Sequence, residues 1–362
     1  MKKAICLILA LLLCLSLLPA SALAENVGDD ALPDGYGLEQ TSDKAALRTL
    51  IESGDCGDAL TYRLYSDGEL VIEGTGAMTS HPWKDDYAND ILTVSISEGV
   101  TSIGAHAFES CRNLTSIELP EGLTSIGDCA FALSGLTSIE LPESLTSIGS
   151  AAFGGCTGLT GVELPDGLTS IGDEVFECCS GLTSVTLPDS LTSIADSAFW
   201  GCESLTGIEL PAGVMSIGTS AFQECFSLAN IELPEGLTSI GTLAFQRCIG
   251  LTSVTLPDGL TSIGNSAFDG CVNLTEITLP VSVASIGGGA FNNCGALTDV
   301  YYGGTDQQWG QITVNANNDY LLNANIHYAS ASGTCGDNLT WTLYDNGELV
   351  ISPDFTTPEL VK

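Results

Sequence analysis

The stretch Leu136–Ile148, LTSIELPESLTSI, decides the fold, because the same pattern returns with small changes from Ile91 almost to Tyr302. The full unit is L-x-x-I-x-L-P-x-x-L-x-x-I-G-x-x-A-F-x-x-C-x-x, and it opens at residues 91, 114, 136, 159, 182, 205, 228, 251 and 274. The period is 23 residues, with one unit of 22, and a partial tenth unit begins at Leu297 as LTDVYY. Repetition at such a period predicts a solenoid, because one unit cannot enclose its own apolar residues and must bury them against its neighbours.

The chemistry of the unit sets its local structure. The alternation at the end of L-x-x-I-x-L fits a half-buried strand. The proline that follows, as at Pro120, Pro142 and Pro165, has no amide proton and ends the strand. Leu145–Gly149 is expected to be a second short extended segment, and A-F-x-x-C a single helical or 3-10 turn that points Phe and Cys inward. Stacked at the ~4.8 Å strand spacing, equivalent Leu, Ile, Phe and Cys side chains fall into continuous columns.

The phenylalanine column has a member in every unit: Phe108, Phe131, Phe153, Phe176, Phe199, Phe222, Phe245, Phe268 and Phe291. It resembles the phenylalanine spine of leucine-rich repeat proteins, and the whole pattern resembles the BspA-like, treponemal type. The resemblance covers roughly residues 91–302. It implies a leucine-rich-repeat solenoid: a curved, right-handed coil with a parallel β-sheet on one face, short strands and helical or 3-10 turns on the other, and β-hairpin caps. Family members are associated with adhesion to host matrix proteins, other cells and host receptors. The implied function is therefore a secreted or cell-surface module that binds proteins or glycans, with a structural extracellular scaffold as the alternative.

Outside the repeats, Met1–Ala24 carries Lys2 and Lys3, an apolar run from Ala4 to Leu18 and a small-residue ending at Ala22-Leu23-Ala24, the pattern of a secretory signal peptide cleaved after Ala24. The expected mature product is secreted, with no membrane insertion after cleavage, because no second apolar run reaches spanning length. The chain has 9 Lys+Arg against 45 Asp+Glu, a net charge of −36. Such acidity argues against nucleic-acid partners and anionic membrane surfaces, and favours either solubility outside the cell or a cationic ligand.

Residues 25–55 are expected to be a loose leader with a short helix around Ser42–Ile51, and residues 56–90 a hairpin cap. In Cys56–Ile72, CGDALTYRLYSDGELVI, the residues Leu60, Tyr62 and Leu64 alternate with Thr61 and Arg63, and Ser66-Asp67-Gly68 supplies the turn. His81-Pro82-Trp83 and Tyr87 are expected to close that end of the solenoid. Residues 303–329, with Trp309 and a strand-like Ala324–Tyr328, are expected to close the other. Residues 330–362 contain a near copy of the hairpin, CGDNLTWTLYDNGELVI at Cys335–Ile351, identical at 12 of 17 positions. It is either the start of a further block or a cap used twice.

Of 14 cysteines, eight form a repeat column: Cys111, Cys156, Cys179, Cys202, Cys225, Cys248, Cys271 and Cys294. An even count in a secreted chain points to disulfides. The columnar position points instead to free thiols acting as small buried hydrophobes, with bridges between adjacent coils as the alternative. Cys178, next to Cys179, must face differently.

No catalytic or metal-binding pattern stands out, and no cofactor is expected. His81, His106 and His327 are far apart in sequence and fit cap or surface roles, and the N-L-T sequons at Asn113, Asn273 and Asn338 follow from the repeat itself. The outstanding feature is the exposed face of the strand. Its two outward positions give Ser116 with Glu118, Ser138 with Glu140, Gly161 with Glu163, Gly207 with Glu209 and Asn230 with Glu232. In the remaining units the second place is Thr186, Thr255 and Thr278. A second acidic row, Glu121, Glu143, Asp166, Asp189, Glu235 and Asp258, follows the prolines. The glutamate face is expected either to bind extracellular proteins or glycans or to serve as a solvated face that opposes aggregation. It is expected to lack aromatic anchors. Calcium is disfavoured, because monodentate glutamates on a flat sheet supply fewer than the roughly six to eight oxygens it takes.

Overall fold

The computed structural model describes residues 48–336 and 339–353. They form a β-solenoid of about 11 turns with parallel sheets and few helices. At the N-terminal end come β1 (Leu50–Gly57), β2 (Leu60–Tyr65), β3 (Glu69–Gly74), β4 (Gly76–Ala77), α1 (Lys84–Tyr87), β5 (Thr93–Ile96) and β6 (Val100–Ile103). Through the repeats follow β7 (Ser125–Ile126), β8 (Ser147–Ile148), β9 (Gly161–Glu163), β10 (Ser184–Thr186), β11 (Ser193–Ile194) and β12 (Ser216–Ile217). Next are β13 (Ser239–Ile240), β14 (Ser253–Thr255), β15 (Ser262–Ile263), β16 (Glu276–Leu279) and β17 (Ser285–Ile286). The far end contains β18 (Asp299–Tyr302), α2 (Asp306–Trp309), β19 (Thr313–Val314), α3 (Asp319–Leu322), β20 (Asn325–Gly336), β21 (Leu339–Tyr344) and β22 (Leu349–Pro353).

The coils opening at 91, 182, 251 and 274 have two short strand segments and the others keep one of them, and the better-kept ladder is the second, Ser-Ile, segment. There β11, β12, β13, β15, β17 and β19 pair in one parallel sheet and β4, β6, β7 and β8 in another. Between strand and ladder the proline carbonyl closes a turn by accepting the N–H of the leucine three residues on, as in Leu145 to Pro142 at 3.0 Å. Threonine hydroxyls reinforce the stacking, each donating to the equivalent carbonyl one coil back, as Thr183 does to Thr160 at 2.8 Å.

The A-F-x-x-C segment is not the helical turn that its composition predicts. The residue two before each phenylalanine is left-handed in every coil, from His106 (φ 62°) to Gly289 (φ 66°), and so is the residue two after it, from Ser110 (φ 62°) to Asn293 (φ 57°). A regular helix cannot pass through such residues. What the alternation achieves is a common direction for alternate amides. The N–H groups of Ser197, Phe199 and Gly201 all donate to the next coil, onto the carbonyls of Thr219, Ala221 and Gln223 at 2.8 Å each. Most of these left-handed residues are not glycine, so the cross-coil hydrogen bonds must outweigh a backbone cost of about 1–2 kcal/mol per residue.

The core follows from this turn. Successive phenylalanine rings stack with centroids 5.2–5.6 Å apart and interplanar angles of 2–14°. The cysteine column is buried and free. From Cys156 to Cys294 each thiol donates to the phenylalanine carbonyl of the preceding coil at 3.1–3.2 Å. The Phe153 carbonyl thus takes the Cys156 amide at 3.0 Å and the Cys179 thiol at 3.1 Å, using both lone pairs. Ser134 fills the cysteine place in the 22-residue unit. Cys178 is half-buried and left-handed, φ 57°, facing away from the column as expected. Glycine after isoleucine permits the close approach of coils: a Cβ at Gly241 would lie 2.5 Å from the carbonyl carbon of Gly218.

Both ends of the column are closed by side chains that imitate a missing coil. At the first, buried Trp83 donates its indole N–H to the Ala107 carbonyl at 2.7 Å and lies 6.0 Å from Phe108 at 27°. At the last, the Phe291 N–H meets the side-chain oxygen of buried Asn318 at 3.0 Å, while the Asn318 amide donates to Gly287 and Asn315.

The flanks differ from expectation in two respects. Leu50 and Ile51 are strand, not helix, because β1 pairs antiparallel with β2; residues 42–47 of the expected helix lie outside the described residues, as does Met1–Ala24. Each predicted hairpin is in fact a three-stranded meander. β3 of the first pairs parallel with β5, and β20 of the second runs unbroken from parallel pairing with β18 into antiparallel pairing with β21.

Two outcomes follow. Replacing Phe199, which stacks on Phe176 and Phe222, by alanine is expected to cost ~3–5 kcal/mol in denaturant unfolding, and a loss below ~1 kcal/mol would show that the column is not core. Burial pushes the Cys156 thiol from 9.0 up to about 11 and the Cys294 thiol to about 12. Because the folded pKa lies above the unfolded one, the unfolded chain binds fewer protons once pH passes 9.0. Stability is therefore fully present below that pH and falls as pH rises toward the folded values. Thiol reagent should find the column silent in the native protein and free after denaturation; four bridged pairs would contradict this.

Candidate binding face

The outward residues of the first strand segment fall into two rows. All eight residues singled out from the sequence, Ser116, Glu118, Ser138, Glu140, Glu163, Glu209, Asn230 and Glu232, are exposed. Register is explicit where strands pair: Glu163 lies beside Thr186, Ser253 beside Glu276, and Glu209 bridges directly to Glu232. Among the described residues none of the five glutamates is in an ion pair. At the ~4.8 Å strand spacing adjacent carboxylates repel, which a cationic partner would relieve.

The rows continue beyond the residues recognised in the sequence. One runs from Glu276 to Asp299 and Asn325, the other from Thr278 to Tyr301 and His327. The expected absence of aromatic anchors is therefore wrong at this end. Tyr301 stacks on His327 at 5.0 Å and meets Tyr344 edge-on at 5.0 Å. The Tyr301 hydroxyl donates to Glu348 at 2.5 Å, which with burial holds its pKa up at about 12. His327 Nε2 lies 2.9 Å from Asp299 Oδ1, and this hydrogen bond holds the Asp299 carboxyl below its ordinary value. A signal existed: Tyr301 is the second outward residue of the partial tenth unit, the place of Glu118 in its own. The contacts to Tyr344 and Glu348 had none, because they join residues more than 40 apart.

The other histidines meet at the first coil. His81 and His106 have ring centroids 6.5 Å apart, and Glu109 takes hydrogen bonds from His106 and from Lys84. Burial, with Lys84 nearby, holds the His81 pKa below its ordinary value. Among the described residues no group of three or more His, Cys, Asp or Glu is placed to hold a metal, and no helix is long and apolar enough to cross a membrane.

Stacked strand-and-turn coils sharing leucine, isoleucine, phenylalanine and cysteine columns, with one polar face left open, define a leucine-rich-repeat protein. Residues 86–206 and 192–318 match the BspA type leucine rich repeat region, and the chain belongs to that family. It is similar to a leucine-rich repeat protein from Bacteroides ovatus, with 29% identity and a TM-score of 0.60 over 75% of this chain and 77% of that one. It is also similar to a leucine rich cell surface protein from Faecalibacterium prausnitzii, with 25% identity and a TM-score of 0.39 over 71% of this chain and 96% of that one. No curated protein matches.

Proposed function

We propose that this protein is a secreted or cell-surface module that binds proteins or glycans, and that the face carrying Glu118, Glu140, Glu163, Glu209 and Glu232 makes the contact. The carrying observation is the row itself: exposed carboxylates in coil register, on a flat surface of serine, glycine and asparagine, outside any ion pair among the described residues. A rigid array of like charges with small neighbours suits a broad partner surface bearing Lys or Arg better than a small molecule. Family membership and the leader sequence support an extracellular setting, and adhesion is the role consistent with both.

The test is association with basic extracellular proteins and with glycans, scored by saturable binding to the full chain. Binding through this face should weaken as salt rises, since exposed charges are screened over ~8 Å at physiological ionic strength. Replacing Glu140, Glu163, Glu209 and Glu232 together by Gln should slow association while leaving the melting temperature equal or slightly higher. Unchanged binding in that variant would return the face to a solvated surface and the protein to a scaffold role. A calcium-dependent rise in melting temperature, lost in the variant, would make the row a metal site instead.

A further inference from the structure

The residue after each column cysteine stands where the fold makes no demand on the side chain. Its N–H donates to the carbonyl two residues back, from Arg112 to Ser110 at 2.8 Å and from Thr157 to Gly155 at 2.9 Å. The same turn recurs at Phe226, Ile249 and Val272, at 3.0, 2.8 and 2.8 Å, so these three side chains leave equivalent backbone positions. Elsewhere the place holds Arg112, Thr157, Ser180, Glu203 or Gly295. In these three consecutive coils alone it is large and apolar, and Ile249 and Val272 are 38% and 45% exposed. The Asn273 side chain donates to the Ile249 carbonyl at 2.8 Å, which keeps two of the turns in register, and at the ~4.8 Å coil spacing the three residues form one row. A single exposed apolar residue is ordinary, but a contiguous row that no core requires marks an interaction site.

The charges around the row say what fits it. Arg247, with no other Lys or Arg between Arg112 and Lys362, holds its guanidinium over the Phe226 ring at 5.5 Å and pairs with Glu224 at 2.7 Å, so its charge is met within the chain. Glu203, at the same place one coil before Phe226, is exposed and among the described residues is in no ion pair. Glu232, on the acidic face, follows Phe226 by six residues. We propose that Phe226, Ile249 and Val272 anchor a partner protein through an extended segment in which large apolar side chains alternate with Lys or Arg. This rests on the reading of the acidic face as a binding face and narrows its partner to a protein. Apolar side chains would lie on the row while cations meet Glu203 and Glu232. Six residues of extended chain span at most about 20–22 Å, so one short segment reaches both carboxylates. Apolar anchors supply most of the affinity of an interface, and the charges around them set partner choice and association rate. A neutral glycan fits the row less well, since its hydroxyls would lose water against aliphatic side chains without gaining a hydrogen bond. A second copy is the poorer occupant, because each chain has a net charge of −36.

The probes are two labelled peptides of equal charge, KLKFKLK and KSKSKSK, titrated into the full chain by fluorescence anisotropy. KLKFKLK is expected to bind saturably and more tightly than KSKSKSK. Replacing Phe226, Ile249 and Val272 together by Thr should weaken KLKFKLK at least about tenfold and leave KSKSKSK unchanged, and Ile249→Lys alone should weaken KLKFKLK as well. Circular dichroism and melting temperature should match the wild type in both variants, because other coils hold Thr157 or Ser180 at this place. Equal affinity for the two peptides, reduced only when Glu140, Glu163, Glu209 and Glu232 are Gln, would overturn the apolar row and leave the acidic face standing. No saturable binding of KLKFKLK, or equal affinity in the threonine variant, would also overturn the row. So would binding of maltohexaose that the threonine variant abolishes, since the partner would then be a glycan, or sedimentation showing wild-type self-association lost in that variant, since the occupant would then be a second copy.

Discussion

The structure depends on one constraint: the amides beside each phenylalanine must point along the solenoid axis, into the next coil. An ordinary helical turn would spend those groups within itself, and this part of the coil would then meet its neighbour only through side chains. Left-handed residues two before and two after the phenylalanine rotate alternate peptide planes and so free the N–H groups of three residues per coil for the neighbour. The phenylalanine ring is held between two such residues, which is why nine rings stack at nearly constant spacing. The thiol column completes the arrangement by occupying the second lone pair of the phenylalanine carbonyl. Cysteine is suited to this place because it is small, apolar and still a weak donor.

That regular interior explains how the exposed face can remain acidic. Repulsion between exposed carboxylates on adjacent strands is modest, below about 1 kcal/mol per pair. Against it stand aromatic stacks, each of about 0.5–1.5 kcal/mol beyond their burial, and several cross-coil hydrogen bonds per coil. The face is therefore free to vary in charge without threatening the fold, and serine, asparagine, threonine and glutamate do alternate there. The thiols are protected by the same interior: buried, with raised pKa, they carry too little thiolate to oxidise readily even in an oxidising compartment.

How much was legible in the sequence depended on whether a feature repeats. The period, the buried phenylalanine and cysteine columns and the glutamate row came directly from the pattern. The left-handed turns did not, because their residues include His106, Ala151, Glu174, Ser220 and Leu243, types that carry no common preference for that conformation; the need arises from the neighbouring coil. Tyr301 and His327 occupy row positions that could be counted out in sequence, but their partners Tyr344 and Glu348 arrive from a different part of the chain. The strand from Leu50 was hidden in a polar stretch, since its order comes from pairing with β2 and not from its own composition.

The ends show what a repeat must supply when repetition stops. A terminal coil exposes carbonyls on one side and amides on the other, and each orphan group costs about 1–3 kcal/mol if buried without a partner. Trp83 brings a donor to the first coil, and Asn318 an acceptor to the last, each at the position a further coil's backbone would occupy. The turn column is thus closed at both ends. The sheet column is closed differently, by a meander at each end, and among the described residues the first meander alone has its final strand paired to a coil. Since the two meanders share their sequence but not their surroundings, the burial of Leu70 and Ile72 is a property of the coil against them, and the exposure of Leu349 and Ile351 is the lack of one among the described residues. Function in such a molecule is most readily sought where the pattern is broken: at the open sheet face and at its aromatic end around Tyr301.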